Sequence, residues 1–191
     1  MSARRLHSRR RHADPRRAWW STIWIVVTLP ACSEPSEHRD PAAVAPFIAL
    51  EEPLTTRHTC AGTGHSPALT WSTSALPNGT THLAWVMTSD RGVVWSAWDA
   101  PVETGGVPAQ FPPAHSPPLQ GTNYLRRIGW APPCTDPQTA TVAPSEINFE
   151  MFALDQTASI PPIESPARLL ARLRGAALAR ATTSLVVPES P

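Results

Sequence analysis

Thiols, imidazoles and carboxylates are sparse in this sequence, and two groups of them lie close enough together to suggest joint chemistry. The first is His58, Cys60 and His65, to which Cys134 can be added from further along. Such a set either closes a disulfide or holds a metal ion, and its spacings match no zinc signature. The second is Asp90, Asp99 and Glu103. Three acids near loops read as a solvated rim rather than an acid–base pair. No G-x-S-x-G, P-loop, H-E-x-x-H or C-x-x-C is present. His115, among prolines, reads as exposed and idle, and Asn78-Gly79-Thr80 as a turn. The expectation is therefore a protein with no catalytic residue, no cofactor and no metal.

The elements that would position these groups are mostly strands. Within 191 residues, 23 prolines and 8 tryptophans against a single tyrosine favour a loop-rich β protein. The formal charge of +1 divides unevenly: Met1 to Ala31 holds seven arginines and one aspartate (net +6), and the remainder nine arginines and fourteen acids (net −5). An acidic body with no basic stripe excludes nucleic acid as a partner, because phosphate neutralisation needs clustered cations.

The first 31 residues read as a targeting segment: a basic start, then the apolar run Ala18 to Leu29, too short for a permanent membrane span. Leu29-Pro30-Ala31-Cys32 resembles the lipobox of bacterial lipoproteins, which implies cleavage before Cys32, attachment of a diacyl lipid to that cysteine and a membrane partner through that anchor. The expected location is the bacterial cell envelope, on its periplasmic or outer-membrane face. Residues 32–46, rich in proline, small residues and charge, read as a disordered tether, and 47–188 as the folded domain.

In that domain Phe47 to Leu50 suits a first strand and His82 to Met87 a buried one. Gly105 to Leu119 reads as a loop. Asn148 to Asp155 has apolar residues on both pleat faces, with Phe149, Met151 and Ala153 on one and Phe152 and Leu154 on the other, as an interior strand would. Ser165-Pro166 starts a helix running to about Arg180, and Leu185 to Val187 forms a last strand.

Several segments then carry a resemblance. Thr59 to Trp71 (TCAGTGHSPALTW) resembles the T-C-D-G-x-x-x-S-P-x-L-x-W motif of the phosphatidylethanolamine-binding protein family, in its bacterial Raf kinase inhibitor-like branch. Thr88-Ser89-Asp90 stands where the family has its D-P-D loop, and Trp95-Ser96-Ala97-Trp98 matches W-x-H-W except at the histidine. Gln120 to Asn123 resembles Q-G-R-N, Ile128 to Cys134 resembles T-G-Y-G-G-P-C, and Phe149 to Asp155 resembles F-x-x-Y-A-L-D. The resemblance implies an antiparallel Greek-key β-sandwich with a C-terminal helix. It also implies a small anion pocket, whose acid and two histidines correspond here to Thr88, Ala97 and a position near Ser145. Asp90, Trp95, Trp98, Pro133 and Cys134 would line the same pocket. Losing two imidazole donors at roughly 1.5–3 kcal/mol each would weaken anion binding by about 10²- to 10⁴-fold. Bacterial members often carry the Cys60 and Cys134 pair, and with Cys32 acylated a disulfide between them is implied.

The leading expectation is a non-enzymatic, lipid-anchored binding or scaffolding protein with a degenerate pocket, whose partner is a protein or a small ligand. Two rivals are an apolar-ligand binder, with a slot between Trp95 and Trp98, and an envelope hydrolase or metal-dependent enzyme on the same scaffold.

Overall fold

Two-sided burial along two strands, His82–Ser89 and Ser145–Leu154, organises the described part of the molecule. The computed structural model describes residues 42–113, 116–134 and 145–189; the first 31 residues, read above as a targeting segment, Cys32 and His115 lie outside them. Among the described residues the strands are β1 (Ala42–Ala43), β2 (Ile48–Leu50), β3 (Leu69–Trp71), β4 (His82–Ser89), β5 (Gly92–Pro101), β6 (Gly106–Val107), β7 (Leu119–Gln120), β8 (Ser145–Leu154) and β9 (Ala177–Val187), with one α-helix, α1 (Pro166–Ala176). They form a six-stranded sheet in the order β1-β9-β8-β4-β5-β7 and a three-stranded sheet in the order β2-β3-β6. Every pairing is antiparallel except β1 with β9.

Side-chain alternation sends Leu83, Trp85 and Met87 of β4 into a core shared with Ile48, Leu69 and Trp71 of the smaller sheet, and Ala84 and Val86 into a second cluster against α1. Strand β8 follows suit: Phe149, Met151 and Ala153 join the first core, Phe152 and Leu154 the second. Both faces being covered, these strands read as nearly continuous apolar runs. The described body is thus mostly β, two sheets with one late helix, as expected.

Four details differ from the sequence reading. Ala42 and Ala43, within the segment read as a tether, pair with Ala179 and Arg180. Gly106 and Val107, inside the expected loop, form a short strand with β3, where a Cβ at Gly106 would lie 2.5 Å from the Leu69 carbonyl oxygen. Helix α1 starts with proline in its first turn, yet stops at Ala176 instead of near Arg180, and the last strand runs from Ala177. Alanine, leucine and arginine favour helix, but β9 pairs with β8 along nearly its whole length, burying Ala179 and Ala181 at period 2. Tertiary pairing overrides the local preference. Lastly, Asp99 is no rim acid. It is 4% exposed, in the left-handed region at φ 59, where β5 bulges against β4, and its carboxylate accepts the Ala158 N–H.

Helix and sheet are joined by a charge cluster. Glu150 of β8, 5% exposed, receives Nε and Nη2 of Arg174, both at 3.0 Å, and Nη1 of Arg180 at 3.4 Å. The bidentate carboxylate raises the Arg174 pKa. Glu150→Ala removes this clamp and leaves two arginines that still reach water; unfolding in urea should show a loss of about 2 kcal/mol.

Candidate ligand site

The segment that would wall a ligand site, Ile128 to Cys134, lies against β5 and the loop carrying Cys60. The Cys60–Cys134 disulfide is formed, with Cα atoms 5.5 Å apart across 74 positions of sequence. Closing a loop of that length stabilises the fold by about 4 kcal/mol in the chain-entropy model. Beside it the Pro133 carbonyl accepts the Cys60 N–H, and the Tyr124 hydroxyl donates to Pro132 O at 2.8 Å. Because the two sulfurs bond each other, the alternative metal set of His58, Cys60, His65 and Cys134 is not assembled.

Through the core beside this wall runs a series of indoles. Trp71 and Trp85 have ring centroids 6.3 Å apart, Trp85 and Trp95 5.2 Å, and Trp95 and Trp130 5.9 Å, the last two pairs edge to face. Ala97, fully buried, faces Trp85 in register on one side and Gln120 on the other. Gln120, seen in the sequence only as the first residue of the Q-G-R-N resemblance, is a hub: its Oε1 accepts the Trp95 indole N–H at 2.7 Å and its Nε2 donates to Pro112 O at 2.8 Å. Trp130 donates to the His58 carbonyl at 3.1 Å. The Trp85 indole N–H and the Ser96 hydroxyl are buried with no partner among the described residues.

The residues expected to make one pocket do not come together. Ala97 shares the inter-sheet core with Trp95, whereas Trp98 packs on the opposite face against the helix side and donates to Ile160 O. No slot therefore lies between Trp95 and Trp98, both fully buried. Thr88 is in phase with Ala84 and Val86, away from Ala97, and stands three residues, about 10 Å, along β4 from Ala97's partner Trp85. Ser145 is three residues further still, since Thr88 pairs with Asn148 and Ser145 with Val187; its side chain lies outside the described residues. Asp90 is exposed in the β4–β5 turn, and Pro133 and Cys134 are buried. Alternation and register, invisible in a list of motifs, set Thr88 and Ser145 apart from Ala97.

The wall also lacks donors. Where the resembling motif has two glycines, this chain has Ala131 and Pro132. The Ala131 N–H is spent on Val94 O, and Pro132 and Pro133 have none. One cation does reach the wall, unforeseen: Arg91, from the turn, donates to Cys134 O and lies 5.9 Å from the Tyr124 ring centroid. Burial raises the Tyr124 pKa, and the Arg91 charge opposes that rise.

A separate concavity of about 340 Å³ opens two strands away from Ala97, between β2 and strands β8 and β9. Pro46, Ile48, Leu50, Phe149 and Leu185 line it, with Glu51 and Glu52 among its few polar neighbours. Glu52 is ion-paired with Arg57.

A family model described as phosphatidylethanolamine-binding protein matches residues 45–187. No curated protein sequence matches the chain. Among solved structures, a phosphatidylethanolamine-binding protein homolog from Chlamydia trachomatis, CT736, superposes with a TM-score of 0.60 at 19% identity, covering 80% of this chain and 100% of its own. YbcL of E. coli, described as a member of the mammalian PEBP family, superposes with a TM-score of 0.56 at 24% identity, covering 77% and 97%. At these identities the likeness is one of fold.

His58 makes the wall sensitive to acid. It is 1% exposed, and its Nδ1 accepts the Thr55 N–H at 2.9 Å, which needs an unprotonated nitrogen. Burial, then the charge of Arg57, hold its pKa below the ordinary 6.5. The unfolded chain takes up a proton below about pH 6.5 that the folded chain refuses, so this contribution is complete above that pH and is lost as pH falls towards the folded pKa. Urea midpoints measured between pH 7 and 5 should fall in the wild type and fall less in His58→Gln.

Proposed function

Because the chain belongs to the phosphatidylethanolamine-binding protein family, we propose that it acts by binding rather than catalysis, without the anion pocket usual in its relatives. One observation carries this reading: the position of the pocket histidine is Ala97, sealed beneath Trp85, Trp95 and Gln120, beside a wall whose residues 131–133 offer no free N–H. A phosphate-type group entering there would lose its hydration and gain no charged donor. Arg91 at the rim is exposed and already engaged with a carbonyl, so it supplies weak attraction only.

The second reading, a binder of slender apolar molecules, moves from the tryptophans to the groove along β2, β8 and β9. Its lining of proline and aliphatic side chains supports that ligand class. We further propose that the protein is exported and held at the bacterial envelope by acylation of Cys32. The basic start, short apolar run and Leu29-Pro30-Ala31-Cys32 support this. Among the described residues no helix is long and apolar enough to cross a membrane.

Titration calorimetry with phosphoethanolamine and with a short-chain fatty acid separates the two ligand classes. Phosphoethanolamine should show no micromolar binding; such binding would sink the lost-pocket reading, while saturable fatty-acid binding would favour the groove. For the anchor, Cys32→Ser should move the protein from the membrane fraction to the soluble fraction of the cells that make it. Unchanged membrane association would count against acylation.

A further inference from the structure

After β7, residues 121–129 form a tip whose make-up the core does not explain. Leu125, Arg126, Arg127 and Ile128 are all exposed, both aliphatic residues at 43%. The tip is nonetheless held firmly. Thr122 and Ile128 bridge across its base, and Asn123, 4% exposed, sits at its centre. The Asn123 Oδ1 accepts the N–H of Leu125 at 2.9 Å and of Arg127 at 3.1 Å, while its Nδ2 donates to Gly129 O at 2.9 Å. Backbone bonds from Asn123 N to Arg127 O and from Arg126 N to Asn123 O complete the turn. Arg126 is kept at φ 59, a costly conformation for a residue with a Cβ.

Arg126 and Arg127 form no ion pair with a described acid. Thr122 donates to the Pro162 carbonyl at 3.4 Å, which brings Ile163, 84% exposed, beside the base of the loop. The neighbouring acid, Glu164, is turned to Arg172. Arg91, against the Tyr124 ring, adds a third guanidinium near the same loop.

We propose that this tip docks on the surface of an anionic phospholipid bilayer. Aliphatic side chains splayed beside arginines that meet no described acid suit that surface: the former enter the acyl boundary and the latter pair with phosphates. Residues 32–191, the tip included, are acidic, net −5. An anionic surface repels most of such a body and draws the cationic tip towards it. An acidic protein would satisfy the guanidiniums but would leave three separate aliphatic side chains without a use. The proposal is independent of acylation at Cys32.

Hydrogen exchange on the full chain tests it, with vesicles of phosphatidylcholine, vesicles that also contain phosphatidylglycerol, and polyglutamate as probes. Because the seven arginines before Ala31 can themselves recruit the chain to anionic vesicles, the readout is exchange within residues 122–129, not sedimentation. Expected is severalfold slower exchange there with phosphatidylglycerol vesicles alone, reversed at about 0.5 M salt. The double variant Arg126→Gln, Arg127→Gln should weaken tip docking roughly 30-fold. Leu125→Ser with Ile128→Ser should also diminish the protection. Recruitment to vesicles with exchange at 122–129 unchanged would overturn the proposal, as would protection by polyglutamate without protection by vesicles.

Discussion

Four indoles packed in series between two sheets are the constraint on which the rest of this molecule depends. Trp71, Trp85, Trp95 and Trp130 come one from each of β3, β4, β5 and the wall segment, so the series ties both sheets to the wall. Each edge-to-face pair contributes about 0.5–1.5 kcal/mol beyond its buried area. Their bulk also decides what else fits. Residue 97 lies opposite Trp85 and must be small, and Gln120 is drawn to Trp95 to accept its N–H. The cost shows at Trp85, whose own indole N–H has no described partner, a penalty of roughly 1–3 kcal/mol.

The opposite face of the larger sheet is organised by charge as well as by apolar contact. Leu169 and Leu173 bury one side of α1 while Arg174 spans to Glu150. Arg180 reaches the same carboxylate from β9. A carboxylate so enclosed is tolerable only with both guanidiniums in place. The short helix, the turn directly into β9 and the register of β9 on β8 are thus coupled at one residue.

Much of this was legible in the sequence. The two-sided pattern of Asn148 to Asp155 located an interior strand and assigned each residue to its face, because alternation has a period that a sequence displays. Asn78-Gly79 marked a turn, and Gly79 is found at φ 86. The order of the motifs pointed to the family and, with it, to the Cys60–Cys134 bond. What stayed hidden depends on pairing between distant segments. The end of α1 was misplaced because β8 competes for Ala177 to Arg180, and nothing local announces that competition. Asp99 looked like a surface acid because a bulge, not its neighbours in sequence, turns it inward. Thr88, Ala97 and Ser145 were grouped by analogy, and register, which a motif does not record, placed them apart. Arg91 was overlooked since a turn residue gains its role only from what folds over it.

A consequence follows for how such a body could sense a lipid surface. An imidazole in a cleft recognises one head group at a time, by hydrogen bonds whose geometry rejects others. That requires an accessible cavity, whereas Ala97 is fully buried between Trp85 and Gln120. Guanidiniums on an exposed tip respond instead to the summed surface charge, with little regard to which head group carries it, and their pull fades within a Debye length of about 8 Å at physiological salt. Asn123 makes the second arrangement workable: it satisfies the turn's amides from inside, and the Arg126 and Arg127 side chains pair with no described acid. Under the two proposals made here, selectivity for chemical identity and attraction to charge density would draw on different parts of the fold: the first on the core around Ala97, the second on the exposed tip.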